Sequence, residues 1–419
     1  MTSVNFLQKG IGFLRFREEI MLVSLSLIFL VGLATASVCE LIKLPRIIGM
    51  LVTGIVTGPY VLDFLDPEIL GISSELRQIA LIIILIKAGL SLNISDLKKV
   101  GRPAVLMSFL PAVFEIAAFV LLAPFLLHVT VIEAAIIGAV LGAVSPAVVV
   151  PRMVQLMDEK YGTNKQIPQM ILAGASLDDV FVIVLFSTFV GMAQGGSAKI
   201  MDFVNIPISV ILGIGLGIIF GIVISFIFEF AHKKGRPIRQ SLKAVIILGA
   251  AFLMISVESW LDGIVSISGL IAVMSTACVV QMRCRKEVSE DLSAKYGRLW
   301  TAAEVILFVL VGAAVDIRYT LQAGGMAVVM IVIALVFRSV GVLLCLIGTE
   351  LNRKERLYCV IAYLPKATVQ AAIGSVPLSL GLPCGNIVLS VAVLSILITA
   401  PLGAIGMDMS YKKLLKISR

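Results

Sequence analysis

The chain has 419 residues, 59% of them hydrophobic and 14% charged, with a mean hydropathy of +1.07. A soluble domain carries about 25% charged residues, and apolar runs of helix length exclude the alternating ten-residue strands of a membrane barrel. The formal net charge of +8 needs no nucleic acid to explain it, because cytoplasmic loops of membrane proteins collect Lys and Arg.

Residues 1–20, MTSVNFLQKGIGFLRFREEI, carry charge without a signal-peptide cleavage pattern and read as an interfacial segment. Thirteen spans then follow, making an all-α polytopic membrane protein. They lie at 21–39, 45–60, 77–92, 103–127, 131–155, 168–192, 206–230, 241–257, 264–282, 298–315, 322–348, 356–380 and 385–406, ahead of a tail at 407–419. No loop is long enough for a soluble domain. Of the 34 Lys and Arg, 25 fall in one set of loops and the tail, 6 fall on the opposite side, and Lys87, Arg338 and Lys366 lie inside spans. Positive charge marks the cytoplasmic side. The N-terminus is therefore expected outside and the C-terminus inside, which requires an odd number of spans.

Two spans carry proline at mid-depth: the fifth, GAVLGAVSPAVVVPRM, with Pro146 and Pro151, and the twelfth, VIAYLPKATVQAAIG, with Pro365 followed by Lys366. Proline removes a backbone donor and clashes with an earlier carbonyl. Freed backbone at membrane depth is tolerated only where protein or a water-filled cavity satisfies it. One such span would read as a simple kink, but two in matched positions suggest more. Pro146 lies 125 residues beyond the start of span one and Pro365 lies 124 beyond the start of span eight. Spans one to six and eight to thirteen then form two six-helix repeats, inverted by the linker span 206–230, with crossed discontinuous helices at the substrate site.

The buried charges cluster around these breaks. Asp178 and Asp179 stand side by side in ILAGASLDDVFVIVLFST, on the span after the first break. Neighbours on a helix point about 100° apart, so the two carboxylates serve different roles. One can face a cation cavity and the other a neighbouring helix, or both can cap broken helices. That divergence fits an aspartyl protease badly, because two carboxyls must there share a proton. Glu115 and Arg338 sit mid-span in equivalent members of the two repeats and pair most economically with each other, as structural glue or as part of the site. Lys366 can satisfy carbonyls at the second break or repel a cation. Lys87 lies near a span end and can snorkel. The hydroxyl of Ser145 and the freed carbonyl of Val144 are candidate cation ligands, since hard cations take oxygen ligands. Six scattered cysteines and two histidines offer no zinc or haem centre, and no cofactor is expected.

SPAVVVP, SLDDVFVIVLF and LPKATVQAAIG, in this order, together with LIKAGLSLN and PAVFE, resemble the monovalent cation:proton antiporters, in particular the NHA-type sodium/proton exchangers. That resemblance implies a homodimer among membrane lipids, with no nucleic-acid partner. It implies a dimerisation domain of 21–92 and 241–315 and an ion-transport core of 103–192 and 322–406, the core sliding as an elevator. Asp179 matches the carboxylate that carries Na⁺ (or Li⁺) and H⁺ in turn, Asp178 its acidic neighbour, and Glu115 and Arg338 the buried pair of electroneutral members. Many relatives have Thr-Asp where this chain has Val144-Ser145, which leaves the preferred cation open. The expected activity is Na⁺/H⁺ exchange, electroneutral because arginine does not deprotonate, in a bacterial-type inner membrane. K⁺/H⁺ exchange is the alternative, with a sodium-coupled organic-anion symporter of the same fold behind it. No nucleophile–base or metal constellation points to an enzyme.

Overall fold

The structure, a computed structural model, describes residues 21–91, 101–195, 200–236, 238–261 and 267–417. The expected interfacial segment 1–20 lies outside these residues. Among the described residues the regular secondary structure is helical, apart from one isolated bridge between Tyr161 and Ile417. By length and composition, Met21–Leu41, Arg102–Leu126, Ile211–Lys233, Gln240–Leu261, Lys286–Ala313, Gly324–Cys345 and Gly385–Leu414 can each cross a membrane. Several shorter apolar helices lie between them.

In chain order, α1 is Met21–Leu41, α2 Arg46–Thr57, α3 Pro67–Gly71 and α4 Ser73–Ser91. Next come α5 Arg102–Met107, α6 Leu110–Leu126, α7 Val131–Gly142, α8 Pro146–Asp158 and α9 Ile167–Gln194. Then follow α10 Ile200–Lys233, α11 Gln240–Leu261, α12 Gly269–Arg283 and α13 Lys286–Ala313. The chain closes with α14 Ile317–Cys345, α15 Arg353–Ala362, α16 Thr368–Gly374, α17 Val376–Ser379 and α18 Gly385–Leu414.

Local chemistry sets many of these boundaries. The Thr130 hydroxyl accepts from the Glu133 amide while Glu133 accepts from the Thr130 amide, so α7 starts in a capping box. Asn352 and Glu355 do the same for α15. Pro146 takes the first position of α8, where its missing N–H costs nothing.

The span expected at 103–127 is present as α5 and α6, with a turn at 108–109 ahead of Pro111, which cannot continue the ladder from the preceding turn. One expectation needs correction. Residues 286–297, expected in a loop, form the first turns of α13. Val288, Leu292, Tyr296 and Trp300 repeat every four residues on its buried face, and Lys286–Glu290 and Lys295–Asp291 pair across its turns. In the segment expected as a tail, 407–419, α18 runs on to Leu414. Arg77, the first residue of the span expected at 77–92, lies in α4, buried, with its guanidinium donating to the Leu310 carbonyl.

Packing divides the helices into two groups. In one, α2 lies between α1 and α13, while α4 packs on α12 and α13 and α12 on α10 and α11. In the other, α6 packs on α7 and α14, α9 on α5, α7 and α8, and α18 on α7, α14, α15 and α16. The groups meet where α16 touches α4 and α13, and where α9 touches α10 and α12.

Contact between α2 and α13 is backbone to backbone. A methyl group on Gly54 would strike the Val309 carbonyl, and one on Gly312 would strike the Leu51 carbonyl. Small residues allow such approach where lipid supplies no hydrophobic drive between helices. Gly54→Val should therefore force the two helices apart and lower the midpoint of thermal unfolding in detergent by several degrees, as overpacking costs about 1–3 kcal/mol. Gly249→Ala, on an open face of α11 with nothing near the added carbon, should leave the midpoint unchanged or raise it. Equal midpoints for the two variants would show that this close approach is not tight.

Candidate ion site

Both interrupted helices are observed, and their breaks are bonded to each other. The first break, residues 143–145, separates α7 from α8, and Ala143 and Ser145 are extended there. The second, residues 363–367, separates α15 from α16. The Ser145 amide donates to the Pro365 carbonyl at 2.8 Å. Gln370 clasps both breaks: its Nε2 donates to the Ala143 carbonyl at 2.9 Å and its Oε1 accepts from the Ala367 amide at 2.7 Å. The Lys366 amide donates to the Thr399 hydroxyl of α18 at 2.9 Å.

The carbonyls left at the ends of α7 and α15 are met by two buried cations. Lys366 Nζ donates to the Leu141 carbonyl and, at 2.6 Å, to Glu115 Oε2. Arg338 Nε donates to the Tyr363 carbonyl at 2.6 Å. Its Nη1 donates to the Gly142 carbonyl and to Glu115 Oε2, the latter at 2.7 Å, and its Nη2 reaches Asp178 Oδ2 at 3.2 Å. The Tyr363 ring lies 5.6 Å from the guanidinium carbon. Cations at helix C-termini also complement the macrodipole. Glu115, Asp178, Arg338 and Lys366 are all essentially without solvent exposure. As formal charges these four sum to zero.

Asp178 and Asp179 diverge as helix geometry demands. Asp178 turns toward α14 and the first break, its Oδ2 also accepting from the Val144 amide at 2.7 Å. Asp179 is buried, and among the described residues it forms no ion pair with Lys or Arg; its Oδ1 has no hydrogen-bond partner. Ser145 Oγ and Asp178 Oδ1 are likewise buried without partners. The first break and α9 thus carry three buried side-chain oxygen atoms without hydrogen-bond partners, on Ser145, Asp178 and Asp179. The expected Glu115–Arg338 pair is present, and Lys366 is bound to carboxylate and carbonyl. Pro151 falls inside α8, away from the break.

The contacts of Asp178 with Arg338 and of Lys366 with Glu115 were not foreseeable from spacing. Nor was the part played by Tyr363, whose contribution is largely its carbonyl. Gln370 had a readable signal, since a Gln three residues past the end of a broken segment has the capping-box spacing. Thr399 shows only as one hydroxyl in an apolar run.

Residues 25–408 match the family described as sodium/hydrogen exchanger, transmembrane. Among similar curated proteins, sodium/hydrogen exchanger 9B2 of Homo sapiens is 33% identical over 386 residues, covering 89% of this chain and 70% of that protein. The Xenopus tropicalis 9B2 protein is also 33% identical, and this chain covers 65% of its length. Sodium/hydrogen exchanger 9B1 of Mus musculus is 30% identical over 414 residues, covering 95% of this chain and 72% of that protein. In fold, the chain is similar to the sodium proton antiporter MjNhaP1 from Methanocaldococcus jannaschii, with a TM-score of 0.81, 21% identity and coverage of 97% and 99% of the two chains.

The neutral quartet makes a stability prediction. Glu115→Gln leaves Arg338 and Lys366 with an excess positive charge in an apolar interior and should cost about 3–5 kcal/mol. Adding Lys366→Met restores neutrality and should recover much of the loss in thermal unfolding midpoint. A double variant less stable than Glu115→Gln would show that Lys366 holds the break chiefly through the Leu141 carbonyl.

Proposed function

The chain belongs to the transmembrane sodium/hydrogen exchanger family, a family of membrane-embedded cation/proton antiporters and not of enzymes, and from that premise we propose that Asp179 carries Na⁺ (or Li⁺) and H⁺ alternately in electroneutral exchange. The observation that supports this most is the charge arrangement: Asp178 is matched by Arg338, Glu115 is shared by Arg338 and Lys366, and Asp179 has no basic partner among the described residues. A carboxylate so placed binds either a proton or a cation, and one excludes the other. Competition at one group then couples the two flows.

Cargo oxygens come from Asp179, Asp178 Oδ1, Ser145 Oγ and the Val144 carbonyl. Arg338 cannot give up a proton; it and the Val144 amide both donate to Asp178 Oδ2, and in this proposal Asp178 keeps one charge state throughout. The core then carries the same charge whether Asp179 holds H⁺ or Na⁺, so the membrane potential does no net work. Na⁺, Li⁺ and K⁺ added in turn to proteoliposomes distinguish sodium from potassium exchange.

The remaining parts of the proposal concern architecture. We infer thirteen spans in two inverted repeats with crossed broken helices, an N-terminus outside, a cytoplasmic C-terminus and an inner membrane of bacterial type. The two packing groups correspond to a static homodimerisation domain (21–92 and 241–315) and a moving core (103–192 and 322–406). The elevator reading draws its support from the limited contact between them, through α16 and α9.

Asp179→Asn should abolish exchange, because an amide neither titrates nor supplies a full charge. Asp178→Asn should leave residual exchange with altered cation affinity. Substantial Na⁺/H⁺ exchange by Asp179→Asn would sink the site assignment. Electroneutrality is checked by Na⁺ uptake at a fixed pH gradient with a K⁺/valinomycin potential of zero or about 100 mV, which is worth about 2.3 kcal/mol per charge. The equilibrium Na⁺ ratio should not respond; a ratio that follows the potential would mean that a second proton moves.

A further inference from the structure

The half-helix α8 starts at the candidate site and ends on the face that carries the basic loops. At its first turn it has proline in place of a donor and no side-chain cap. Val150 and Val154 are exposed on its outer side. What fixes its position is therefore not obvious from the break alone, where the Ser145 amide to the Pro365 carbonyl is the cross-chain tie.

Beyond the break, α8 packs its buried Val148, Val149, Met153 and Leu156 inward and lies on α9, and its polar ties to other elements come from one stretch, residues 408–417. Arg152 Nε and Nη2 donate to Asp408 Oδ1 and Oδ2 at 2.9 and 3.0 Å, a two-pronged fork onto α18. The same guanidinium donates through Nη1 to the Val148 carbonyl at 3.0 Å, reaching back along α8 toward the break. Just past α8, Glu159 accepts from the Tyr411 hydroxyl at 3.0 Å, and the Tyr161 and Tyr411 rings meet edge to face with centroids 5.0 Å apart. The Gly162 amide donates to the Lys416 carbonyl at 2.8 Å, and Tyr161 bridges to Ile417. Lys160 and Gly162 adopt left-handed backbone, so the turn that makes these contacts is tight.

We propose that Arg152 is a positioning residue for the ion site: by gripping its own helix at Val148 and α18 at Asp408, it sets where Val144 and Ser145 lie beside the two aspartates. Arg152 lies seven positions beyond Ser145, about 10 Å along the helix. A short, stiff half-helix transmits displacement at one end to the other. The bidentate fork holds orientation as well as distance, which a single contact would not. Because the pair is partly exposed, its loss should little affect folding, so its effect should fall on cation affinity. This inference rests on the exchange reading of the site.

The test measures Na⁺-dependent exchange in proteoliposomes for the full chain, for Arg152→Ala, for Asp408→Asn and for Arg152→Ala/Asp408→Asn. Each single variant should raise the KM for Na⁺ by about five-fold, the effect expected from losing an exposed charged pair, with the maximal rate within two-fold of the parent. The double variant should be no worse than either single one, because both remove the same contact. Arg152→Lys, which keeps the charge but not the fork, should fall between. An unchanged KM, effects that multiply in the double variant, or a lost rate at unchanged KM would each overturn the proposal. Should Arg152→Ala fail to reach the membrane, Asp408→Asn, which changes almost no volume, decides alone. A parent protein that exchanges no cation overturns the exchange reading and this inference with it; a parent that exchanges while its variants keep its KM overturns only the role of Arg152.

Discussion

A helix that breaks inside a bilayer exposes carbonyls and amides with no water to receive them, and this chain breaks two helices side by side. Everything at the site follows from how those groups are satisfied. The amides go to carbonyls, Asp178, Gln370 and Thr399. The carbonyls ending α7 and α15 go to Arg338 and Lys366. Using full cations for this solves the hydrogen-bond problem and creates an electrostatic one, because two buried positive charges need two negative ones. Glu115 and Asp178 supply them.

That balance explains how structure and transport share one set of residues. Four charges hold the breaks open and cancel. The fifth, Asp179, is left over from the structural requirement and is adjacent in sequence to a member of the quartet. Helix geometry separates the two neighbouring carboxylates by about 100°, so Asp178 is bonded to Arg338 while Asp179 is not, the asymmetry on which the proposed exchange rests. Had they stood a full turn apart, both would have faced Arg338.

The two packing groups solve different problems by different means. Between α2 and α13, glycines bring backbone against backbone. Around the breaks, close packing is joined by directed polar bonds: Gly403 lies against Pro365, while Arg338, Lys366 and Gln370 meet the freed carbonyls. The polar group of helices is held through many directed bonds at its breaks and touches the other group over a limited area, through α16 and α9, which is the contact pattern that the proposed elevator draws on.

Sequence alone determined the class of protein, the two breaks, the buried charged residues and the divergence of the aspartates. Those features depend on composition, on proline chemistry and on the 3.6-residue period, all of which are local. It also paired Glu115 with Arg338, since few opposite charges were available at that depth. It misplaced the start of α13: there, a four-residue apolar repeat within a charged stretch outweighed average hydropathy. Only the tertiary structure decided that Arg338 reaches Asp178, that Lys366 shares Glu115, that Gln370 joins both breaks and that the chain end grips α8. These contacts join residues 160 to 256 positions apart, and no spacing rule reports a distance that depends on how separate helices pack.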